Sequence, residues 1–464
     1  MLFAFYPNTL NLAVKVFEIP QTHDPKRRMT IFNKSLEKRL SNASPLLLNV
    51  FLVTIVFCTY FCAYGFRKPF TAGAFALDFK VPLLNVTLGY KTLLVVVQTL
   101  GYATAKFIGI KLIAEIKKDN FVLIRTLVLL LTTAGLSWIL WAITPAPYNL
   151  IFIFINGLPL GLVWGVMLSF IEGRKHTELF GTGLSASFIF AAAFSQQIGQ
   201  SVLKWGVSEY WMPFVVSAFY FVPMLLMAWL LGHTPPPNQE DIRLRKVREP
   251  MDGPQRRQFL RSYLGGIIFL MILYMLLNAF RETRSGFAKE IWAGIDKNAD
   301  LAVFTQSEIV VSIIILVLLS LIVYIRKNAQ AFYVTLIGVG LGSALVGISS
   351  FLYAQEMITG FVWMILIGMG TYLGYIPIGS FLFDRLLAAS NTKGTVGFLI
   401  YMFDAFAYIA SISIMLYKNL SFAQVNWVQF MQKFGYWLAI INVTMLLLAL
   451  LFFWQKIKKL GTQS

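Results

Sequence analysis

The sequence alternates between long apolar runs and short polar connections over most of its length. Twelve runs have about the 20 apolar residues that a helix needs to cross the hydrocarbon core of a membrane. They are Leu46–Phe66, Thr92–Ile113, Phe121–Ile143, Leu150–Ile171, Gly181–Val202, Trp211–Leu231, Tyr263–Phe280, Ile309–Ile325, Phe332–Leu352, Phe361–Phe383, Gly397–Tyr417 and Phe434–Trp454. Since a backbone in lipid must satisfy its own hydrogen bonds, the pattern predicts an all-α membrane protein with twelve transmembrane helices.

Composition agrees with this pattern. The 464 residues are 58% hydrophobic and 13% charged, outside the balance of a soluble globular protein. The two cysteines, Cys58 and Cys62, lie one helical turn apart in the first span and are expected to be small apolar filler. We find no disulfide framework, metal-binding set, phosphate loop or nucleophile–base pair, so we expect no cofactor and no enzymatic activity.

The net charge of +18 is explained by membrane topology rather than by nucleic acid, because Lys and Arg cluster before the first span, after even-numbered spans and at the end. This distribution predicts a multi-pass protein of the cell (inner) membrane with both termini in the cytoplasm. The apolar start lacks the basic region and cleavage site of a signal peptide. Translation could even begin at Met29.

One long polar segment, "GHTPPPNQEDIRLRKVREPMDGPQRRQ", divides the chain after the sixth span. Its proline and charge predict a solvated linker. The predicted organisation is a cytoplasmic N-terminal segment, a six-helix bundle, a cytoplasmic linker, a second six-helix bundle and a cytoplasmic tail. Their boundaries are residues 1–44, 45–232, 233–260, 261–456 and 457–464.

The two halves carry matching residues at matching spacings. The first and seventh spans share polar positions at i, i+4 and i+7, which place them on one helix face, and the fourth and tenth spans together with their exits share five positions. The matched sets are Tyr60, Tyr64 and Arg67 with Tyr274, Asn278 and Arg281, and Gly157, Ser169, Phe170, Arg174 and Gly183 with Gly368, Ser380, Phe381, Arg385 and Gly394. The repeat predicts two bundles related by a pseudo-two-fold axis.

Polar side chains inside a membrane normally face a cavity or a partner helix. Six spans carry them as stripes along one face: the first, second, fifth, seventh, tenth and eleventh. Besides the matched triplets, the stripes contain Gln98, Tyr102, Lys106, Gln196, Gln200, Thr371, Tyr375, Tyr401, Asp404, Tyr408 and Ser411. These spans are therefore predicted to surround a central cavity.

Arg67 follows the first span in "YFCAYGFRKPFTAG", at an end predicted to face outward, where cations are depleted. We expect Arg67 inside the cavity and Lys68 at the lipid head groups, the alternative being that both cap the helix end. Arg281 holds the equivalent place in the second half. Two guanidiniums near Lys106 and several tyrosines would form an anion site, because the planar fork binds phosphate or carboxylate oxygens bidentately. Alternatively, Arg281 forms a packing ion pair with Glu282 or Asp404.

"CAYGFRKPF" followed by "GYATAKFIG" resembles the organophosphate:phosphate antiporters of the major facilitator superfamily. That superfamily is built from two six-helix repeats with a binding site between them near mid-membrane. The resemblance implies that Arg67 and Arg281 grip the phosphate and that Lys106 is the second-span lysine. "FRKPFTAG" and "GYKTLLV" with "KFIGIK" also resemble an uncharacterised bacterial membrane family, DUF5690. The histidine of the antiporters' fifth span has no counterpart, because His23, His176 and His233 all lie outside the spans.

We therefore expect a monomeric secondary transporter that moves a small anionic solute, of organophosphate, phosphate or carboxylate type, across the lipid bilayer. The alternative is a receptor or regulator with a transporter fold that binds an anionic ligand without moving it. The candidate substrate-binding residues are Arg67, Arg281, Lys106, Tyr60, Tyr64, Tyr102, Tyr274, Asn278, Gln98 and Tyr375.

Two further sets of residues have predicted roles. Glu172 and Arg174 in the first half match Asp384 and Arg385 in the second, which predicts ion pairs between the halves that gate the cytoplasmic side, or else a solvated rim. Asp404 stands out as a lone carboxylate deep in an apolar span. It is either a proton-coupling site or the counter-charge of the arginine site.

Overall fold

The computed structural model describes residues 34–81, 86–115, 119–171, 174, 177–236, 253–299, 301–322, 325, 327–389, 397–421 and 425–461. Within these residues, twelve helices are long and apolar enough to cross a membrane. In chain order they are Pro45–Tyr64, Tyr90–Glu115, Asn120–Ile143, Leu150–Ile171, Thr177–Lys204, Met212–Gly232, Gly253–Gly286, Leu301–Ile322, Asn328–Ala354, Gly360–Ser380, Gly397–Ser421 and Trp427–Gly461. The prediction of an all-α protein with twelve spans is confirmed.

The remaining elements are short. In the part of the chain that the structure describes, the helices that flank or connect the spans are the α-helices Lys34–Ser41, Ala288–Ile295 and Leu382–Ala389 and the 3₁₀ helix Pro69–Ala72. Strand β1 (Asp78–Val81) pairs antiparallel with strand β2 (Val86–Gly89) in a hairpin that the apolar pattern did not predict.

Side-chain caps fix where several spans begin. Ser44 accepts a hydrogen bond from the backbone N–H of Leu47, with Pro45 at the first helical position. Asp119 caps the third span, and Thr359 caps the tenth by accepting from Val362. These caps satisfy amide groups that have no partner within the helix.

The first span does not continue as a regular helix up to Arg67. The amides of Arg67 and Lys68 both donate to the carbonyl of Tyr64, and the chain then enters the 3₁₀ helix at Pro69. Gly65 is required at this bend, because a Cβ there would lie 2.2 Å from the ring of Tyr220 in the sixth span. This irregular turn directs Arg67 and Lys68 to the interior.

The spans form two bundles of six that meet along two matched contacts. The second span packs against the eleventh, and the fifth packs against the eighth. Since the second and eighth spans correspond in the repeat, as do the fifth and eleventh, the two contacts have the equivalence that a pseudo-two-fold axis requires. We call the side on which the first span begins and the twelfth ends the terminal face, and the opposite side the far face.

Close helix packing positions the polar residues of the second span. A Cβ on Gly157 of the fourth span would lie 2.2 Å from the carbonyl oxygen of Gln98, so the two backbones touch only because residue 157 has no side chain. In the second half, the ninth and tenth spans make a similar approach at Gly342 and Gly370. Such small-residue contacts are typical of helices in membranes.

The segment between the first two spans folds over the far face. The carboxylate of Glu209 accepts hydrogen bonds from the amides of Ala74, at 2.5 Å, and Phe75, at 3.0 Å. Phe75 has a positive φ of 46° and is buried against Tyr90, Trp141 and neighbouring rings. Glu209 therefore holds the strained turn that leads into the hairpin.

Candidate functional site

A small cavity lies between the two halves. It is lined by residues of all six spans that carry the predicted polar stripes, and of the fourth span. The lining residues are Tyr60, Tyr64, Tyr102, Lys106, Trp164, Ser185, Phe188, Tyr274, Arg281, Tyr375, Ile376, Gly379, Asp404 and Tyr408. Its free volume is about 20 Å³, which is close to the space that one water molecule needs.

Arg67 and Arg281 converge on a single carboxylate oxygen beside this cavity, on its far-face side; Arg281 lines the cavity, and Arg67 lies behind its wall. Arg67 Nη2 lies 3.0 Å from Glu282 Oε1, and Arg281 Nη2 lies 2.7 Å from the same atom. Glu282 Oε2 accepts from Lys68 Nζ at 3.1 Å. The ion pair that the sequence offers as an alternative for Arg281 is thus present, and Arg67 shares it across the two halves.

The four side chains of this cluster are almost completely buried. Relative exposures are 4% for Arg67, 3% for Lys68, 5% for Arg281 and 1% for Glu282. Three cations around one carboxylate leave an excess of two positive charges. The Nε atoms of both arginines are buried without a hydrogen-bond partner in the structure, so each guanidinium retains a donor that a further anion can use.

The expectation that Lys68 extends to the head groups is not what the structure shows. The irregular turn after Tyr64 rotates Lys68 inward, where it reaches Glu282 instead of the bilayer surface.

Aromatic rings surround both guanidiniums. The Cζ atom of Arg67 is 4.2 Å from the centre of the Tyr102 ring, and that of Arg281 is 4.5 Å from the Tyr375 ring. Arg67 also donates to the hydroxyl of Tyr64 at 3.3 Å. Cation–π contacts stabilise cations that have lost their water, so the rings help to keep these charges in the interior.

A second ion pair joins the halves nearer the terminal face. Lys106 Nζ of the second span lies 2.9 Å from Asp404 Oδ2 of the eleventh span. Tyr274 of the seventh span donates to Asp404 Oδ1 at 2.6 Å, so both carboxylate oxygens have partners. Asp404 is thus the direct counter-charge of Lys106, and it does not pair with Arg281.

Three of the predicted substrate-binding residues lie behind the cavity wall. Arg67 does not line the cavity, but it contacts Glu282 and the rings of tyrosines that line the cavity. Gln98 donates to the carbonyl of Arg67 at 3.0 Å and to Asn156 at 2.7 Å, so it supports the turn that carries Arg67. Asn278 accepts from Arg281 at 2.8 Å and donates to Ser411 at 2.9 Å.

The other seven predicted substrate-binding residues line the cavity, and Asp404 does so with them. These seven are Tyr60, Tyr64, Tyr102, Lys106, Tyr274, Arg281 and Tyr375.

The predicted gate is only partly within the described residues, since Glu172 lies outside them. Arg174 donates to the backbone carbonyl of Phe170 in the fourth span and to that of Pro235, which follows the sixth span. Arg385 donates to Asn328 at 2.8 Å, within the second half. Asp384 lies in the first turn of the short helix Leu382–Ala389.

The apolar pattern does not predict a buried ion pair between the seventh and eighth spans. Arg284 of the seventh span lies 2.5 Å from Glu308 of the eighth, and both are 1% exposed or less. The description of Asp404 as the lone carboxylate deep in a span is therefore wrong. The predicted eighth span began at Ile309, whereas the helix begins at Leu301 and includes Glu308. The i+3 spacing of Arg281 and Arg284, on one helix, was the available signal for a second buried charge.

Further contacts tie the halves at the far face. Lys91 pairs with Glu290, Thr92 Oγ1 is 3.3 Å from Asn419, and Lys289 donates to the carbonyl of Ala72 at 3.1 Å. In each inter-half ion pair named in this section, the cation belongs to the first half and the carboxylate to the second. The two halves therefore meet with complementary charge.

This fold defines a multi-pass membrane protein of the major facilitator transporter architecture. The chain belongs to the family of unknown function DUF5690, which it matches over residues 69–456. No curated protein sequence matches it.

The solved structures that are similar to the chain include three transporters. A bacterial homologue of the human drug peptide transporters PepT1 and PepT2 has a TM-score of 0.58 and 12% identity, over 89% of this chain and 99% of that one. The human organic anion transporter MFSD10 (TETRAN) has a TM-score of 0.52 and 13% identity, over 88% and 100%. The proton:xylose symporter XylE has a TM-score of 0.51 and 16% identity, over 88% and 96%. These identities establish the fold alone.

Proposed function

We propose that this protein is a secondary transporter that moves a small anionic solute by alternating access. One observation carries the proposal: guanidinium groups from the two halves meet at one carboxylate oxygen, that of Glu282, beside the cavity between the halves of a transporter fold. A site shared between halves is where rocking of one half against the other exposes a bound solute to either side.

The chemistry of the cluster favours a phosphate- or carboxylate-type solute. Arg67 and Arg281 each keep an Nε–H donor beside the Nη2 atom that binds an oxygen, which is the fork geometry that matches two oxygens of one anion. Their excess positive charge favours a doubly charged anion, such as a phosphate monoester, over a singly charged one. The human organic anion transporter with this fold is consistent with an anionic solute but does not identify it.

The membrane orientation is part of the proposal. Cations are concentrated at the terminal face, which we assign to the cytoplasm of the cell (inner) membrane by the positive-inside rule. The protein is proposed to act as a monomer, since each half supplies one arginine and the site is complete within one chain.

The gate is also a proposal. Two ion pairs between the halves, Glu172 with Arg385 and Arg174 with Asp384, would close the terminal face in one conformation and separate in the other. Cysteine pairs at these positions should cross-link with an efficiency that changes when an anion is added. Cross-linking that is unaffected by any anion would contradict this role.

Transport by purified protein in proteoliposomes tests the proposed function. The panel contains labelled inorganic phosphate, phosphorylated three-carbon and six-carbon metabolites, and dicarboxylates, with xylose as the uncharged control. We expect uptake of at least one anion and none of xylose. Anion binding without uptake or counterflow would instead support the receptor, and transport restricted to uncharged solutes would contradict the anion site.

A further inference from the structure

We propose that Glu282 is a tethered substitute for the anionic solute, which lets the two halves close on each other without a bound solute and so permits net transport rather than exchange alone. This inference rests on the proposed function and specifies how the same site is regulated.

The contacts of Glu282 are those expected of a bound anion. Its Oε1 atom accepts from guanidiniums of both halves, and its Oε2 atom accepts from Lys68. The Glu282 side chain is 1% exposed, and its carboxylate lies between the two arginines. A carboxylate of the chain thus supplies the oxygens that a solute would supply.

The placement of these charges makes closure depend on the carboxylate. Arg67 and Lys68 belong to the first half, whereas Arg281 and Glu282 belong to the second. When the halves approach without an anion between them, two cations of the first half meet the guanidinium of the second in a nearly dry interior, and like charges there repel strongly. Glu282 converts this repulsion into attraction.

A consequence for transport follows from this charge arrangement. A carrier whose halves close only around a solute can return across the membrane only when loaded, so it performs exchange. A carrier with its own anion between the arginines can also return unloaded, which gives net flux. An incoming anion that uses the whole fork of each arginine finds the Nε–H groups free but must compete with Glu282 for the Nη2 donors, and so it also loosens the far-face closure when it binds.

The neighbouring ion pairs offer a matched control. Glu290 pairs with Lys91 between the same two halves at the far face, but it is about one quarter exposed, and among the described residues it is Glu282, not Glu290, that pairs with Arg67 and Arg281. Glu290→Gln therefore removes an inter-half ion pair without altering the charge around the arginines. Pairs with this degree of exposure contribute little to stability.

A distance measurement tests closure directly and requires no solute. Spin labels are attached at Tyr148→Cys and Met357→Cys, exposed positions at the far face of the first and second halves. The background carries Cys58→Ala and Cys62→Ala. In chloride buffer without phosphate or carboxylate solutes, we expect a short inter-half distance in the parent protein and in Glu290→Gln, and a population of at least about tenfold more open molecules in Glu282→Gln. Identical distance distributions for all three proteins would overturn the proposal.

A flux measurement tests the consequence. Proteoliposomes are loaded with labelled inorganic phosphate, and efflux is followed with or without unlabelled phosphate outside. We expect net efflux from wild type and Glu290→Gln, whereas Glu282→Gln should retain exchange and lose about tenfold or more of its net efflux. Wild-type protein that exchanges phosphate but shows no net efflux would overturn the proposal even if the variant does not fold.

The two experiments separate this inference from the proposed function. If wild type exchanges phosphate and Glu282→Gln has the same ratio of exchange to net efflux as wild type, Glu282 has no role in net transport. The proposal that the protein is a transporter would then still stand. Glu282→Asp, which keeps the charge on a shorter side chain, should recover part of the net efflux. Net efflux from Glu282→Asp no higher than that from Glu282→Gln would show that charge is not the relevant property.

Discussion

Replacing Arg67 by lysine keeps the positive charge and removes the planar fork. In the structure, Arg67 Nη2 binds the shared carboxylate oxygen, Nη1 binds Tyr64, and the guanidinium lies 4.2 Å from the Tyr102 ring. A lysine ammonium is a point charge that cannot make the paired N–H contacts to two oxygens of an anion. We expect loss of one charge-assisted hydrogen bond to the solute, about 1.5–3 kcal/mol, or roughly 10- to 150-fold weaker binding.

Calorimetric titration of purified protein with phosphate, or with the anion that transport identifies, measures this loss. Arg261→Lys is the matched control, because it is the same substitution at an exposed position of the seventh span. We expect Arg67→Lys to bind nearly as weakly as Arg67→Ala, and the control to bind like wild type. Wild-type affinity in Arg67→Lys would refute the reasoning and reduce Arg67 to a source of positive charge.

Three further outcomes are expected. Arg281→Lys should weaken binding to a similar extent in the same titration, since its Nη2 contacts the same oxygen at 2.7 Å. Asp404→Asn should lower the thermal unfolding temperature and leave the pH dependence of uptake in place, because Asp404 serves as counter-charge to Lys106; loss of that pH dependence would instead make Asp404 the proton-coupling site. Arg284→Met should destabilise the protein by about 3–5 kcal/mol by leaving Glu308 unpaired, and adding Glu308→Leu should restore most of that stability; no restoration would contradict the pairing.

The spans and the cavity-forming helices could be predicted because both depend on local pattern. Apolar length determines which segments cross the membrane, and polar residues four positions apart lie on one face of a helix. Tyr60 and Tyr64 illustrate this, since their spacing alone indicates the cavity side and both line the cavity. Hydropathy fails at span ends, where Glu308 was assigned to a connection because the residues around it are polar.

The role of Glu282 could not be predicted from its position next to Arg281. Consecutive residues of an α-helix point about 100° apart, so a cavity-facing Arg281 indicates a different direction for Glu282. In the structure, the irregular turn after Tyr64 lies against the seventh span. Arg67 and Lys68 therefore contact the Glu282 carboxylate from the opposite half. This contact joins residues more than 200 positions apart, and no local signal specifies it.

A double-mutant cycle on anion binding is the most direct test of the shared arginine site. Affinities of wild type, Arg67→Ala, Arg281→Ala and the double variant are measured by the same titration, at one salt concentration. Because both guanidiniums converge on one oxyanion position, the double variant should lose less binding free energy than the sum of the single losses, by at least about 0.5 kcal/mol. Additive losses would show that the two arginines do not serve one bound anion, and would contradict the proposed site.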